Sequence, residues 1–204
     1  MLRITILGLA VVLGGTIAAA QQKKASPDAH AATEIGGRYV GAEPVYLGGK
    51  WIEVSYGGPI KRSRDLWGSG KSYGKRLAAG APVWRAGADV STYLMTQVPL
   101  VINGKTVEPG GYSLFIDLQP DHWTLIVSAW QPQRVFNPGN REQLWGAFRY
   151  TPDRDVVRAP MTLSTLPFSM DQLTWSFLDM SDVGGRLALM WDRQMAAVSF
   201  AVDN

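Results

Sequence analysis

From Pro44 onward, apolar and polar residues alternate along most of the chain. Trp51-Ile52-Glu53-Val54-Ser55-Tyr56 sends Ile52, Val54 and Tyr56 to one face, and Gly57-Gly58-Pro59 closes the run. A period of two bounded by glycine and proline predicts a half-buried strand followed by a turn. The same grammar predicts strands over 98–102, 105–108, 112–118, 123–130, 145–150, 156–163, 173–178, 186–191 and 196–202. Between the first two of these stands Asn103-Gly104, a hairpin signal because both central residues of such a turn need positive φ. Alternation puts Tyr112, Leu114, Ile116 and Leu118 on one side of their strand. It also puts Trp123, Trp175 and Trp191 on the same faces as Leu125, Phe177 and Leu189, which assigns these three indoles to a core. A helical turn near 65–79 is the one departure.

About ten short strands with turn residues roughly every 8–12 positions predict an all-β chain, a single-domain antiparallel β-sandwich, with barrel-like closure as the alternative. The domain runs over 45–204. Residues 21–44 are rich in Ala, Gly, Lys and Gln without apolar periodicity, and read as a flexible leader.

The first twenty residues change the compartment. Arg3 precedes an uncharged run from Ile4 to Ile17, and Ala18-Ala19-Ala20 follows before Gln21, the layout of a signal peptide cleaved after Ala20. The run, about 14 residues, is shorter than the ~20 a membrane-spanning helix needs. The mature chain is therefore expected in the periplasm or outside the cell, with no transmembrane segment. There is no cysteine, which excludes a lipid anchor on cysteine, disulfides, thiolate metal ligands and cysteine nucleophiles. Such a protein must be held by its core.

Charge narrows the partners. The chain carries 20 basic and 17 acidic residues, net +3, scattered except for Lys61-Arg62-Ser63-Arg64. A nucleic-acid binder needs a basic stripe, so nucleic acid is not an expected partner. Trp67-Gly68-Ser69-Gly70-Lys71-Ser72 resembles the end of a phosphate loop, but Asp65 stands where its first glycine belongs. The two histidines, His30 and His122, are too few for a catalytic zinc site built mainly on imidazoles. Asp153-Arg154-Asp155 offers too few oxygens for calcium. No G-x-S-x-G or H-E-x-x-H run occurs. Neither a metal nor a cofactor is expected.

The candidate site centres on Pro82-Val83-Trp84-Arg85-Ala86-Gly87-Ala88-Asp89. Trp67 and Trp84 lie beside glycine-rich and charged segments, outside the alternation that buries those three indoles. Two readings stand side by side. Arg85 and Asp89 either pair to lock a loop, or Arg85 presents its fork to an anionic or hydroxyl-rich ligand, oriented by Asp89 over Trp84 as an apolar floor.

Val83-Trp84-Arg85-Ala86-Gly87-Ala88-Asp89, Val101-Ile102-Asn103-Gly104-Lys105, Pro109-Gly110-Gly111-Tyr112-Ser113-Leu114-Phe115, His122-Trp123-Thr124-Leu125-Ile126 and Leu173-Thr174-Trp175-Ser176-Phe177 resemble, in order and spacing, the bacterial family called domain of unknown function 2911. The resemblance covers about 50–202 and implies an exported β-protein without an assigned activity. Members of that family often carry Y-S-R-P followed by G-R; here Tyr56-Gly57-Gly58-Pro59-Ile60-Lys61-Arg62 lacks the arginine before proline, and Arg62 or Arg64 are the residues that could replace it. The candidate ligand-binding set is thus Trp84, Arg85, Asp89, Arg62 and Tyr112. The expected function is a non-catalytic binding module for a small polar or glycan ligand. The alternatives are a hydrolase using Asp89 or Glu53 as acid or base, and a structural envelope protein without ligand. The sequence leaves the oligomeric state open.

Overall fold

The computed structural model describes residues 24–203; the expected export segment, 1–20, lies outside them. In chain order the strands are β1 (Asp28–Ile35), β2 (Arg38–Val40), β3 (Val45–Leu47), β4 (Lys50–Gly57), β5 (Ala88–Thr96), β6 (Leu100–Ile102) and β7 (Lys105–Val107), followed by β8 (Gly110–Leu118), β9 (Trp123–Ser128), β10 (Gln131–Pro132), β11 (Gln143–Leu144), β12 (Asp155–Ser181) and β13 (Gly184–Val202). Nine of them form one antiparallel sheet in the order β1-β4-β5-β8-β9-β12-β13-β6-β7, which does not close into a barrel. The small pairs β2–β3 and β10–β11 stand apart from it.

The sheet becomes a sandwich because β12 serves both layers. Its first part, Asp155 to Met161, pairs with β9, and from Thr162 onward it pairs with β13. Register shifts after Thr165, Met170 and Leu178 interrupt the second ladder, and such bulges bend a strand. The returning layer is tied to the first by Trp175, whose backbone N–H donates to the Tyr56 hydroxyl at 3.1 Å and whose indole N–H donates to the Ala86 carbonyl at 3.0 Å. Between the layers lies one core containing Ile52, Val54, Leu94, Leu114, Ile116 and Leu125 from one side and Leu173, Trp175, Leu189 and Trp191 from the other. Trp123, Trp175 and Trp191 are buried as the alternation requires.

The Asn103-Gly104 turn closes the β6–β7 hairpin with φ of 50° and 72°. The helical turn also occurs, as short pieces at Gly70–Ser72 and Lys75–Ala78. Other expectations change. The paired segments expected at 156–163 and 173–178 are two stretches of β12, and those at 186–191 and 196–202 are two stretches of β13. Residues 145–150 form turns instead of a strand.

The leader reading of 21–44 gives way where the chain is described. Asp28–Ile35 is the edge strand β1, paired along its whole length with β4, and Ala29 and Ala31 pack on the core. Its inward positions are Ala29, Ala31, Thr33 and, at its end, Ile35, so most of the strand carries little hydrophobic signal. β5 was not anticipated either. Its inward residues include Thr92 and Thr96, which are buried and satisfied by the carbonyls of Ala86 and Val98; a buried threonine disguises an apolar face.

The opposite face of the first layer is divided. Over β8 and β9, Phe115 and Ile126 are covered by Val83, Trp130, Leu144, Ala147 and Tyr150, which make a second small core. Over β1, β4 and β5 the face is largely open: Trp51 is 41% exposed and Met95 38%. No helix among the described residues is long and apolar enough to cross a membrane.

Candidate functional site

The five residues singled out by the sequence do not share one site. Trp84, expected as the floor of a ligand pocket, is 2% exposed. Its backbone bridges to Ile116 with both hydrogen bonds at 2.8 Å, and its indole stacks on Trp191 with centroids 6.2 Å apart and planes 14° from parallel. Trp67 meets the same cluster edge-on, 6.3 Å from Trp84 and 6.1 Å from Trp191. Flanking glycine and charge concealed indoles that close one end of the core.

Arg85 donates from Nη1 to the backbone carbonyl of Asp89 at 2.7 Å, not to its carboxylate. A Cβ on Gly146 would stand 2.7 Å from the Arg85 Cζ, so the guanidinium packs flat against that glycine. Burial lowers the proton affinity of Arg85, and the nearby Asp89 charge opposes the shift. The loop between Arg85 and Asp89 turns tightly, with Ala86 at φ 54° and Asp89 at φ 61°. The Arg85 fork thus holds its own loop against the covering segment. Ser91 holds that segment too, donating to the Gly146 carbonyl at 2.6 Å.

Arg62 donates to the Ala25 carbonyl at 2.9 Å. The Tyr112 hydroxyl donates to the Glu108 carbonyl at 2.9 Å, and burial raises its pKa. Both are tethers of neighbouring chain. Glu53, the alternative acid–base residue, lies on the open face, its carboxylate 3.4 Å from His30 Nε2.

That open face carries a substantial concavity. A groove of about 520 Å³ runs between β1, β4 and β5 on one side and the segment at Pro132 and Arg134 on the other. Lys24, Asp28, His30, Ser55, Tyr93 and Arg134 supply its polar lining. Lys24 pairs with Asp28 at 2.8 Å. The Tyr93 ring lies over Gly111, where a Cβ would collide with it. Its hydroxyl donates to Gln131 Oε1 at 3.3 Å, while Gln131 Nε2 donates to the Gly111 carbonyl at 2.9 Å.

Register explains how these groups assemble. His30 pairs with Ser55, Ser55 with Tyr93, Tyr93 with Ser113, Ser113 with Ser128, and Ser128 with Asp155. Opposed residues on adjacent strands share a face, so a polar row crosses the sheet from the open groove to beneath the covering segment. At its buried end Asp155 accepts from the Tyr150 hydroxyl at 2.6 Å and from Arg158 at 3.0 Å. Burial and the bond to Asp155 raise the Tyr150 pKa far above its usual range. Asp155 Oδ1 and Ser113 Oγ are buried without a partner among the described residues.

Sequence reasoning missed the groove because its residues are the outward half of strands read for their inward half. Glu53 and Ser55 were visible in the alternation of β4, and His30 and Tyr93 belong to the two strands that were not anticipated. Among the described residues no group of three or more His, Asp or Glu is placed to hold a metal ion.

Comparison with curated proteins and with solved structures finds no match to this chain. The family described as Protein of unknown function (DUF2911) matches residues 42–200, which takes in β3 to β12 and nearly all of β13 but not β1 or β2, and the chain belongs to that family.

Proposed function

We propose that the protein is an exported, non-catalytic binding module for a polar ligand such as a glycan, held in the groove between the outer face of β1, β4 and β5 and the segment at Arg134. The groove itself carries this reading. Its polar lining consists of hydroxyl, imidazole and carboxylate groups on paired strands with the cations Lys24 and Arg134 beside them, set among the apolar Ala29, Val90 and Pro132, and a few placed polar groups on an apolar floor fix orientation and select hydrogen-bonding ligands. Binding is favoured over glycosidic acid–base hydrolysis by the make-up of the groove: such hydrolysis uses a pair of carboxyl groups, whereas the lining holds one, Asp28, which is paired with Lys24 at 2.8 Å.

The test is a calorimetric screen of oligosaccharides and small anions against wild type and Ser55→Tyr, whose ring would fill the groove from an exposed strand position. Binding by wild type that Ser55→Tyr abolishes, at an unchanged unfolding midpoint, is the expected result. No binding by wild type, or binding that Ser55→Tyr leaves intact, overturns the groove reading. Release of reducing sugar ends by wild type overturns the non-catalytic part. Export has its own test: protein recovered from native cells should begin at Gln21, and an intact Met1 would contradict it.

A further inference from the structure

The groove is one end of a longer surface. Along the outward side of β4, Ser55, Glu53 and Trp51 follow one another, and β1 sets His30, Ala32 and Glu34 opposite them while β5 sets Tyr93 and Met95 opposite Ser55 and Glu53. At the far end Glu34 accepts from the Tyr46 hydroxyl and the Gly49 N–H, which anchors the β2–β3 hairpin there. Two aromatic rings thus stand on this face, Tyr93 by the groove and Trp51 beyond Glu53. Four residue steps of extended strand separate Ser55 from Trp51, roughly 13 Å at the usual rise of a strand. Between the rings lie Ser55, Glu53 and His30, which can bond hydroxyls, together with Ala32 and the exposed thioether of Met95.

Cationic charge is concentrated at the groove end; toward the other end Glu34 is engaged by the Tyr46 hydroxyl and the Gly49 N–H, and Glu53 lies 3.4 Å from His30 Nε2. The groove lining holds two permanent cations, Lys24 and Arg134, against one carboxylate, Asp28. Lys24 is paired with Asp28, whereas Arg134 is exposed and forms no ion pair among the described residues. An exposed guanidinium at a groove wall suits a carboxylate, which it can hold through two parallel bonds.

We propose that the outer face of β1, β4 and β5 binds an acidic oligosaccharide several units long, its carboxylate held at Arg134 and its rings stacked on Tyr93 and Trp51. This rests on the groove reading and adds the ligand class and the direction of the chain. A sugar ring presents an apolar C–H face to an indole and equatorial hydroxyls to Glu53, His30 and Ser55. An apolar peptide would leave those carboxylate and imidazole groups covered without partners, at a desolvation penalty.

The experiment is calorimetric titration of wild type, Trp51→Ala and Arg134→Ala with galacturonate dimer, galacturonate hexamer and neutral maltohexaose, with circular-dichroism melts confirming that each variant folds. Wild type should bind the galacturonate hexamer more tightly than the dimer. Trp51→Ala should weaken the hexamer up to tenfold, the scale of one aromatic contact, and leave the dimer unchanged. Arg134→Ala should weaken both acidic probes. Equal affinity for dimer and hexamer, with no effect of Trp51→Ala, overturns the extended face and leaves the groove standing. Maltohexaose bound as tightly as the galacturonate hexamer overturns the acidic assignment. Binding of some other polar ligand in the groove, with none of the three sugars bound, overturns this inference alone; wild type binding nothing in either screen overturns both readings.

Discussion

The two halves of a single sheet face have opposite fates. Over β8 and β9 the outward residues Phe115 and Ile126 are fully buried beneath Trp130, Leu144 and Tyr150. Over β1, β4 and β5 the outward residues Trp51, Glu53, Ser55 and Met95 meet solvent, and the covering segment stops at Arg134 to form the wall of a groove. The polar row from His30 to Asp155 crosses the boundary between them. On the open side its members face a cavity; on the covered side Ser128 bonds the Arg154 carbonyl and Asp155 bonds Tyr150 and Arg158, while Ser113 Oγ has no partner among the described residues. A sheet face covered over only part of its width divides structural work from surface work.

The largest effect expected is on the covered half. Phe115→Ala removes a fully buried ring from the second core and should destabilise by about 3–5 kcal/mol in chemical denaturation. A loss under about 1 kcal/mol would mean that the covering segment is loosely seated.

The loop at the boundary comes next. Arg85→Ala deletes a charged donor to the Asp89 carbonyl and should cost about 1–2 kcal/mol. Asp89→Asn keeps that carbonyl and a side chain tolerant of positive φ, and should be near neutral. The double variant should then equal the sum of the singles within about 0.5 kcal/mol. Strong coupling would show that the carboxylate, not the backbone, receives the guanidinium.

Tyr150 supplies a pH dependence on the covered side. Its folded pKa is raised, so the neutral phenol is favoured in the native state, and the associated stability is complete below the unfolded value near ~10. That contribution is lost as pH climbs above about 10 toward the folded pKa. Melts across alkaline pH should therefore fall, and Tyr150→Phe should flatten part of the fall. Tyr56, Tyr73 and Tyr112 are also raised by burial and should account for part of the remaining slope. An unchanged slope would remove Tyr150 from the account.

The smallest effect belongs to the open half. Trp51→Ala, at an exposed position that packs on no core, should shift stability by no more than about 0.5 kcal/mol. A large loss would mean that the ring is structural.

How much of this was legible in the sequence follows from what each strand puts inward. β4, β8 and β9 bury Ile, Val, Leu and Trp at every second position, so their period was plain. β1 packs small alanines inward and buries Ile35 at its end, and β5 buries threonines bonded to carbonyls beside Leu94, so both escaped a reading based on hydrophobicity. Those two strands supply most of the groove, which is why the candidate site moved. Arg85 and Asp89 were correctly seen as neighbours, but whether a guanidinium meets a carboxylate or the carbonyl behind it depends on backbone torsions that no spacing reveals. Trp84 was misjudged because its indole packs across the sandwich on Trp191, more than a hundred positions away.

The division of the face is tested most directly by residue-resolved nuclear magnetic resonance during titration with galacturonate hexamer. The account predicts shifts at the backbone amides of His30, Ser55 and Tyr93 and at the Trp51 indole, with Phe115, Ile126 and Asp155 unmoved. Shifts centred on the covered half, or on the Trp84–Trp191 cluster, would contradict it.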